Sequence, residues 1–249
     1  MFGSSALFKA FVTLLMFVNV WAASAFAQNK PVIQVLTYEE APFAKIKNNH
    51  KQGFIVDLVA ELFKRAKLDY RLDFLPLKRI LVTTRLNEYY CALPVERSQE
   101  REVTYKWVSP VLVSRYGLFS QTDNKLPLVT LNDAKPYVIG SFLGSGVAEY
   151  LQGQGFTVEV TARSEQNIRM LQHKRIDLWA AEIESAKQQM TKNNASLGKP
   201  ELVFYTSIRA MACHRSIPDT ALENLQSALT QMYQDGFMRK LYEKYNVPF

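Results

Sequence analysis

Two cysteines, Cys91 and Cys213, are all that 249 residues contain. That excludes a disulfide-dense scaffold and a four-cysteine structural zinc site. Histidine is as scarce: His50, His173 and His214 stand far apart, with no H-E-x-x-H or paired-ligand spacing, so no metal is implied. The chain has no G-x-x-x-x-G-K-[ST] phosphate loop, no complete G-x-G-x-x-G and no G-x-S-x-G elbow, and no cofactor is expected. Low-complexity tracts and solenoid periods are also missing. Basic residues exceed acidic ones by 7, but Lys and Arg are scattered among acids without a run of five. A solvated surface accounts for that pattern better than a polyanion site, and no nucleic-acid partner is expected. What is present is the balance of a folded globular protein, 48% hydrophobic and 21% charged, with length for one large domain or two lobes of roughly 100 residues.

The N-terminus carries its own signal. Lys9 precedes an almost wholly apolar stretch from Ala10 to Ala22, and small residues follow at Ala23, Ser24, Ala25 and Ala27. The stretch falls short of the roughly 20 residues that span a bilayer, and no later one approaches that length. Residues 1–27 therefore read as a secretory signal peptide, cleaved after Ala27, with cleavage after Ala25 as second choice. No cysteine follows either site, so lipid attachment is not implied. The expected mature chain is exported, soluble and monomeric, with a net charge of +6 once Lys9 is removed.

Hydrophobic periodicity then repeats an α/β pattern. Val32 to Leu36 reads as a strand, Phe54 to Lys67 as a helix, Tyr70 to Phe74 as a strand, Leu77 to Asn87 as a helix and Cys91 to Val95 as a strand. The same order returns from Tyr137 to Ala180. Leu202 to Tyr205 and Ala210 to Cys213 are further strand candidates, and two helices close the chain, Asp219 to Gln234 and Phe237 to Tyr245. Two parallel α/β halves place their functional loops at the carboxyl ends of the strands, with a cleft between them.

The polar stretch after the third strand bears Ser98-x-x-Arg101 and then Trp107-x-Ser109-Pro110. It resembles the T-x-x-R and F-S-x-P-Y segment of the extracellular solute-binding proteins of family 3, the periplasmic amino-acid receptors of ABC importers. Ala41-Pro42-Phe43, Gly53-Phe-Ile-Val-Asp57, Gly144-Ser-Gly146, Lys174-Arg-Ile-Asp177-Leu-Trp-Ala-Ala-Glu182 and the ending Leu241-Tyr-Glu-Lys-Tyr245 fall in register with the same family. The resemblance implies a type II periplasmic binding protein-like α/β fold. Residues 28–110 would form the first part of lobe one, 111–207 lobe two, and 208–249 the return to lobe one.

It also implies roles. The family's carboxylate-binding arginine falls on Arg101 and its ammonium-binding acid on Glu182, where a guanidinium fork and a carboxylate from opposite lobes would grip a zwitterion. Tyr38, Glu40 and Phe43 fall on the loop with the family's aromatic wall, and Ser145 and Gly146 on a strand-to-helix turn able to hold an anion. Each has a plainer reading: a surface arginine, a first-turn acid, a solvated charge, a packed Phe, an ordinary turn. Departures from the family stand at Leu77, Tyr90, Pro94, Glu96 and Lys174. Glu96, a further ligand candidate, either recognises a second positive charge or pairs with Arg79 or Arg97. The family's topology makes the strands of Cys91 and Cys213 neighbours. Because cross-strand bridges are geometrically demanding, buried free thiols are favoured over a disulfide.

The expected function is capture of an amino acid or related zwitterion for the membrane permease of an ABC importer, by a non-enzyme. The alternatives are an exported dehydratase-like enzyme on the same scaffold and a ligand-presenting sensory partner. N-terminal sequencing of the exported protein should give Gln28 or, failing that, Phe26; a membrane-extracted chain beginning at Met1 would refute the processing.

Overall fold

The computed structural model of the chain describes residues 32–123 and 126–249. The signal-peptide reading of residues 1–27 lies outside them. Helices form where apolar residues recur on one face. In α1 (Phe54–Ala66), Phe54, Ile55, Leu58, Val59, Leu62, Phe63 and Ala66 are all buried, and Lys67 ends the helix in the left-handed region, φ 54°. Strands β1 (Ile33–Thr37) and β4 (Tyr70–Phe74) pair in parallel, with a polar hairpin of β2 (Lys45–Lys47) and β3 (His50–Gln52) before α1. Helix α2 (Leu77–Leu86) leads to β5 (Tyr90–Glu96), which pairs with β1, also in parallel.

Two long strands carry the chain between the lobes. After a short α3 (Gln99–Glu102), β6 runs over Lys106–Phe119, and β10 returns over Leu202–Cys213. They pair antiparallel along nearly their full length, Cys213 opposite Lys106 and Leu202 opposite Leu118. At one end β10 pairs with β5 of lobe one; at the other, β6 pairs with β9 (Leu178–Glu182) of lobe two. Lobe two adds β7 (Ile139–Phe142) and β8 (Val158–Thr161), with β7 parallel to both β8 and β9. Its helices are α4 (Gly146–Gly153), α5 (Gln166–Gln172) and α6 (Ile183–Lys192); α7 (Asp219–Gln234) and α8 (Phe237–Lys244) pack on lobe one. One sheet results, in the order β4-β1-β5-β10-β6-β9-β7-β8.

Two strand candidates, Leu202 to Tyr205 and Ala210 to Cys213, are thus the ends of a single strand. The polar residues between them belong to it because alternation buries Ser207 and Arg209 while Ile208 stays exposed. Strand β6 survives Pro110, which cannot donate to the ladder, because α7 supplies the missing partners. The Gln226 amide accepts from Ser109 N at 2.9 Å and donates to Ser109 O at 2.9 Å. Residues 110–111 and 207–208, the expected lobe boundaries, lie inside β6 and β10.

Apolar side chains cover both faces of each half. In lobe one, Val35, Leu58, Leu62, Leu225 and Leu229 fill one side, and Leu36, Ile80, Leu81 and Ala212 the other. In lobe two the corresponding groups centre on Phe119, Ile168 and Trp179, and on Leu118, Val147 and Leu178. Lys174, standing where the family favours glycine, adopts φ 52°, a left-handed conformation that costs an L-residue about 1–2 kcal/mol.

The favoured free thiols are overturned. Cys91 and Cys213 face each other in the β5–β10 register, Cα atoms 4.0 Å apart, and form a disulfide. Neighbouring strands had already brought them within bonding distance. The bridge closes a sequence separation of 122 residues and ties the chain's return strand to the middle of lobe one. Replacing both cysteines by alanine should lower unfolding free energy by about 2–4 kcal/mol. Chemical denaturation of the oxidised protein and the variant checks this; equal midpoints would show that the bridge contributes nothing.

Candidate functional site

Where β6 and β10 cross between the lobes, the strand period that exposes Val113 and Ile208 turns Ser114, Tyr116, Ser207 and Arg209 inward. Arg209 is 0% exposed. Its Nη2 donates to Glu40 Oε2 at 2.6 Å and to the Tyr38 hydroxyl, which itself donates to the same carboxylate at 3.0 Å. The guanidinium also lies 5.3 Å from the Phe43 ring centroid. Across the sheet, Glu96 stands opposite Arg209 and accepts from Tyr116 Oη at 2.6 Å. Its second oxygen, Oε2, is buried without a hydrogen-bond partner, as are Arg209 Nε and Nη1, Thr37 Oγ1 and Ser114 Oγ. Burial holds the Tyr38 and Tyr116 phenols protonated, against the opposing pull of Arg209.

Arg101, on α3, reaches across to lobe two. Its Nη2 donates to Glu149 Oε2 at 2.7 Å and to Gly144 O at 3.0 Å, while Nη1 donates to Glu96 O at 3.2 Å. Ser145 caps α4 by accepting from Ala148 N at 3.2 Å. Gly146 is where the lobes meet: a Cβ added there would lie 2.9 Å from Glu96 Cβ. Glycine at this position thus permits the approach of the two surfaces. Glu182 caps α6, accepting from Ser185 N at 2.6 Å. Beside Tyr38 and Glu40 a cavity of about 270 Å³ opens between the lobes. Tyr38, Glu39, Glu40, Phe74 and Leu77 line it from lobe one, and Phe142, Arg163 and Ser164 from lobe two.

Of the eight candidate residues, Tyr38 and Glu40 line the cavity, while Glu96, Arg101, Ser145, Gly146 and Glu182 are buried outside its lining. The eighth, Phe43, is a core residue packed edge-on against Phe54, and it does not line the cavity. Glu96 pairs with neither Arg79, which is exposed, nor Arg97, which binds Glu102 at 2.6 Å. Sequence reasoning passed over Arg209, Tyr116 and Glu149. Arg209 had a signal, a lone basic residue in the Ile-Arg-Ala-Met run; Glu149 had none beyond its place in a first helical turn.

Residues 33–248 match the sequence pattern of the bacterial extracellular solute-binding proteins, family 3. The chain belongs to that family. This solute-binding protein is 24% identical over 219 residues to "Probable amino-acid-binding protein YxeM" of Bacillus subtilis (strain 168), covering 84% of this chain and 81% of that one. Among solved structures, a histidine kinase sensor domain with similarity to periplasmic binding proteins superposes at TM-score 0.80, with 14% identity, over 86% of this chain and 95% of that one. ArtJ, an arginine-, lysine-, histidine-binding protein of Geobacillus stearothermophilus, superposes at 0.74, with 18% identity, over 86% and 95%. At such identities the likeness concerns the fold, which is the two-lobed type II periplasmic binding protein fold.

In this solute-binding protein Glu182 is the carboxyl whose titration is most displaced in a useful range. Burial, and then the neighbouring Glu40 charge, raise it from 4.5 to about 8. The folded state then keeps a proton that the unfolded chain releases above about 4.5, so stability falls as pH rises from about 4.5 to about 8. Glu182→Gln, with an oxygen for Ser185 N and no charge, removes that loss. Between pH 5 and pH 8 the wild type should lose on the order of a few kcal/mol relative to the variant, followed by denaturant titration. Parallel pH profiles would refute the assignment.

Proposed function

We propose that this protein captures a small polar, amino-bearing solute of amino-acid size between its lobes. It closes by rotation within β6 and β10 near residues 109–114 and 206–209, and delivers the solute unchanged, as a periplasmic monomer, to the permease of an ABC importer. The observation that carries the reading is the buried layer of Glu40, Glu96, Arg101, Glu182 and Arg209 beside a cavity lined from both lobes. Burying that many polar and charged groups in one place is costly for stability alone, whereas a binding cleft uses them to orient a ligand. Arg101 and Glu182 come from opposite lobes, so a solute touching both favours the closed arrangement. Family membership supports binding as the activity, and the N-terminal signal pattern supports export.

A thermal-shift screen of amino acids and amines tests this directly, because a ligand at 100 times its dissociation constant stabilises by about 2.7 kcal/mol. Small-angle scattering with the hit at saturation should show a smaller radius of gyration than without it. Gly146→Ala should weaken the hit about tenfold or more, since the added methyl meets Glu96 only when the lobes are together. An unchanged radius together with unchanged affinity in the variant would overturn closure.

A further inference from the structure

We propose that Glu149 is the lobe-two half of a latch: it grips Arg101 of lobe one when the lobes are together, and so sets how long a solute is retained without touching it. The retention half of this rests on the solute-binding reading above; the latch itself does not.

Away from β6 and β10 the lobes are bonded at one seam. Among the described residues, Arg101–Glu149 is the one ion pair that joins them, and Arg101 makes the only side-chain hydrogen bonds that do so outside the two crossing strands. Both of its lobe-two partners, Gly144 O and Glu149 Oε2, lie in one short segment, the turn into α4 and its first helical turn. The same segment is shaped for contact. Gly144 has φ 86°, and a Cβ there would lie 3.0 Å from Lys78 N of lobe one; at Gly146 it would lie 2.9 Å from Glu96 Cβ. Side chains at either position would hold the surfaces apart, so two glycines bring the backbone of lobe two within reach of the guanidinium.

On the lobe-one side Arg101 is fixed independently of Glu149. Its Nη1 donates to Glu96 O at 3.2 Å, and its backbone N–H donates to Ser98 O at 3.1 Å. A guanidinium aimed in advance loses little freedom when the lobes meet. The Arg101 side chain is 8% exposed, whereas that of Glu149 is 48% exposed. That asymmetry sets the strength of the latch. Charge-assisted bonds from a largely dehydrated guanidinium favour closure, while water at the half-exposed carboxylate keeps the pair weak enough to part.

The latch is separate from the space for a solute. None of Arg101, Gly144, Gly146 and Glu149 lines the interlobe cavity. Its effect therefore depends on whether the lobes are together and not on the chemistry of what they hold.

Spin labels at Arg71→Cys and Glu159→Cys, exposed positions on the edge strands β4 and β8, report the lobe-to-lobe distance by pulsed electron paramagnetic resonance. The native cysteines are bonded to each other and take no label. Without solute, the wild type should show a closed population at the shorter distance, and Glu149→Gln should reduce it by a factor of about three or more. A weakened α4 alone would lower the melting temperature and leave the distances where they are. Identical distance distributions, or no closed population in the wild type, would overturn the latch. Stopped-flow dissociation then follows the protein amino acids one at a time. Those that bind should leave the variant faster than the wild type, by one common factor of about three or more whatever their charge. A factor that changes with the charge of the amino acid would show that Glu149 meets the solute, and would overturn retention at a distance. If no amino acid binds the wild type, the solute-binding reading falls and retention with it, while the distances still decide the latch.

Discussion

The antiparallel pairing of β6 with β10 is the constraint on which the rest of the molecule hangs. At one end β10 pairs with β5 of lobe one and at the other β6 pairs with β9 of lobe two, so a single hydrogen-bonded ladder is at once the floor of both lobes and the link between them. A ladder crossing from one core to another must pass through a zone with no helix of its own on one face. There Val113 and Ile208 are exposed on one side, and Ser114, Ser207 and Arg209 are turned to the other, beneath the interlobe layer. The Gln226 amide that replaces the ladder bonds lost around Pro110 shows that the pairing is maintained even where the backbone alone cannot maintain it.

Burying Arg209 follows from that geometry. A guanidinium in the sheet floor is tolerable only with a carboxylate against it, and Glu40 reaches it from the loop after β1. Glu40 in turn sits near Glu182, and their mutual repulsion, after burial, keeps the Glu182 proton in place at neutral pH. The layer is thus a chain of dependences that runs from a strand register to the protonation state of a residue on the other lobe. The disulfide fastens the same return strand to β5 four residues along β10 from Arg209, which stiffens the lobe-one side of the crossing.

The helices and the short strands were legible because their signal is local. Asp219–Gln234 and Tyr70–Phe74 fall where periodicity puts them, and α1 ends one residue before the expected Lys67. Pro110 leaves β6 without a local strand signature over its whole length, and in the β2–β3 hairpin Ile46 is the one apolar residue among Lys45–Lys47 and His50–Gln52. Among the site residues, motif register singled out Arg101, which bonds to Glu149, and Glu182, which caps α6. It said nothing of Glu149, which holds Arg101 from a distance of 48 residues along the chain.

By itself the sequence determined the class of the fold, the two α/β halves and the family, since these depend on periodicity and on motifs whose parts are close together in the chain. Only the tertiary structure decided which charges are partners. Arg209 with Glu40 are 169 residues apart, and Cys213 with Cys91 are 122 apart. Such pairings arise from strand order and register, through which one-residue steps turn a side chain from solvent to the interior, and no local pattern encodes which distant strand will lie alongside.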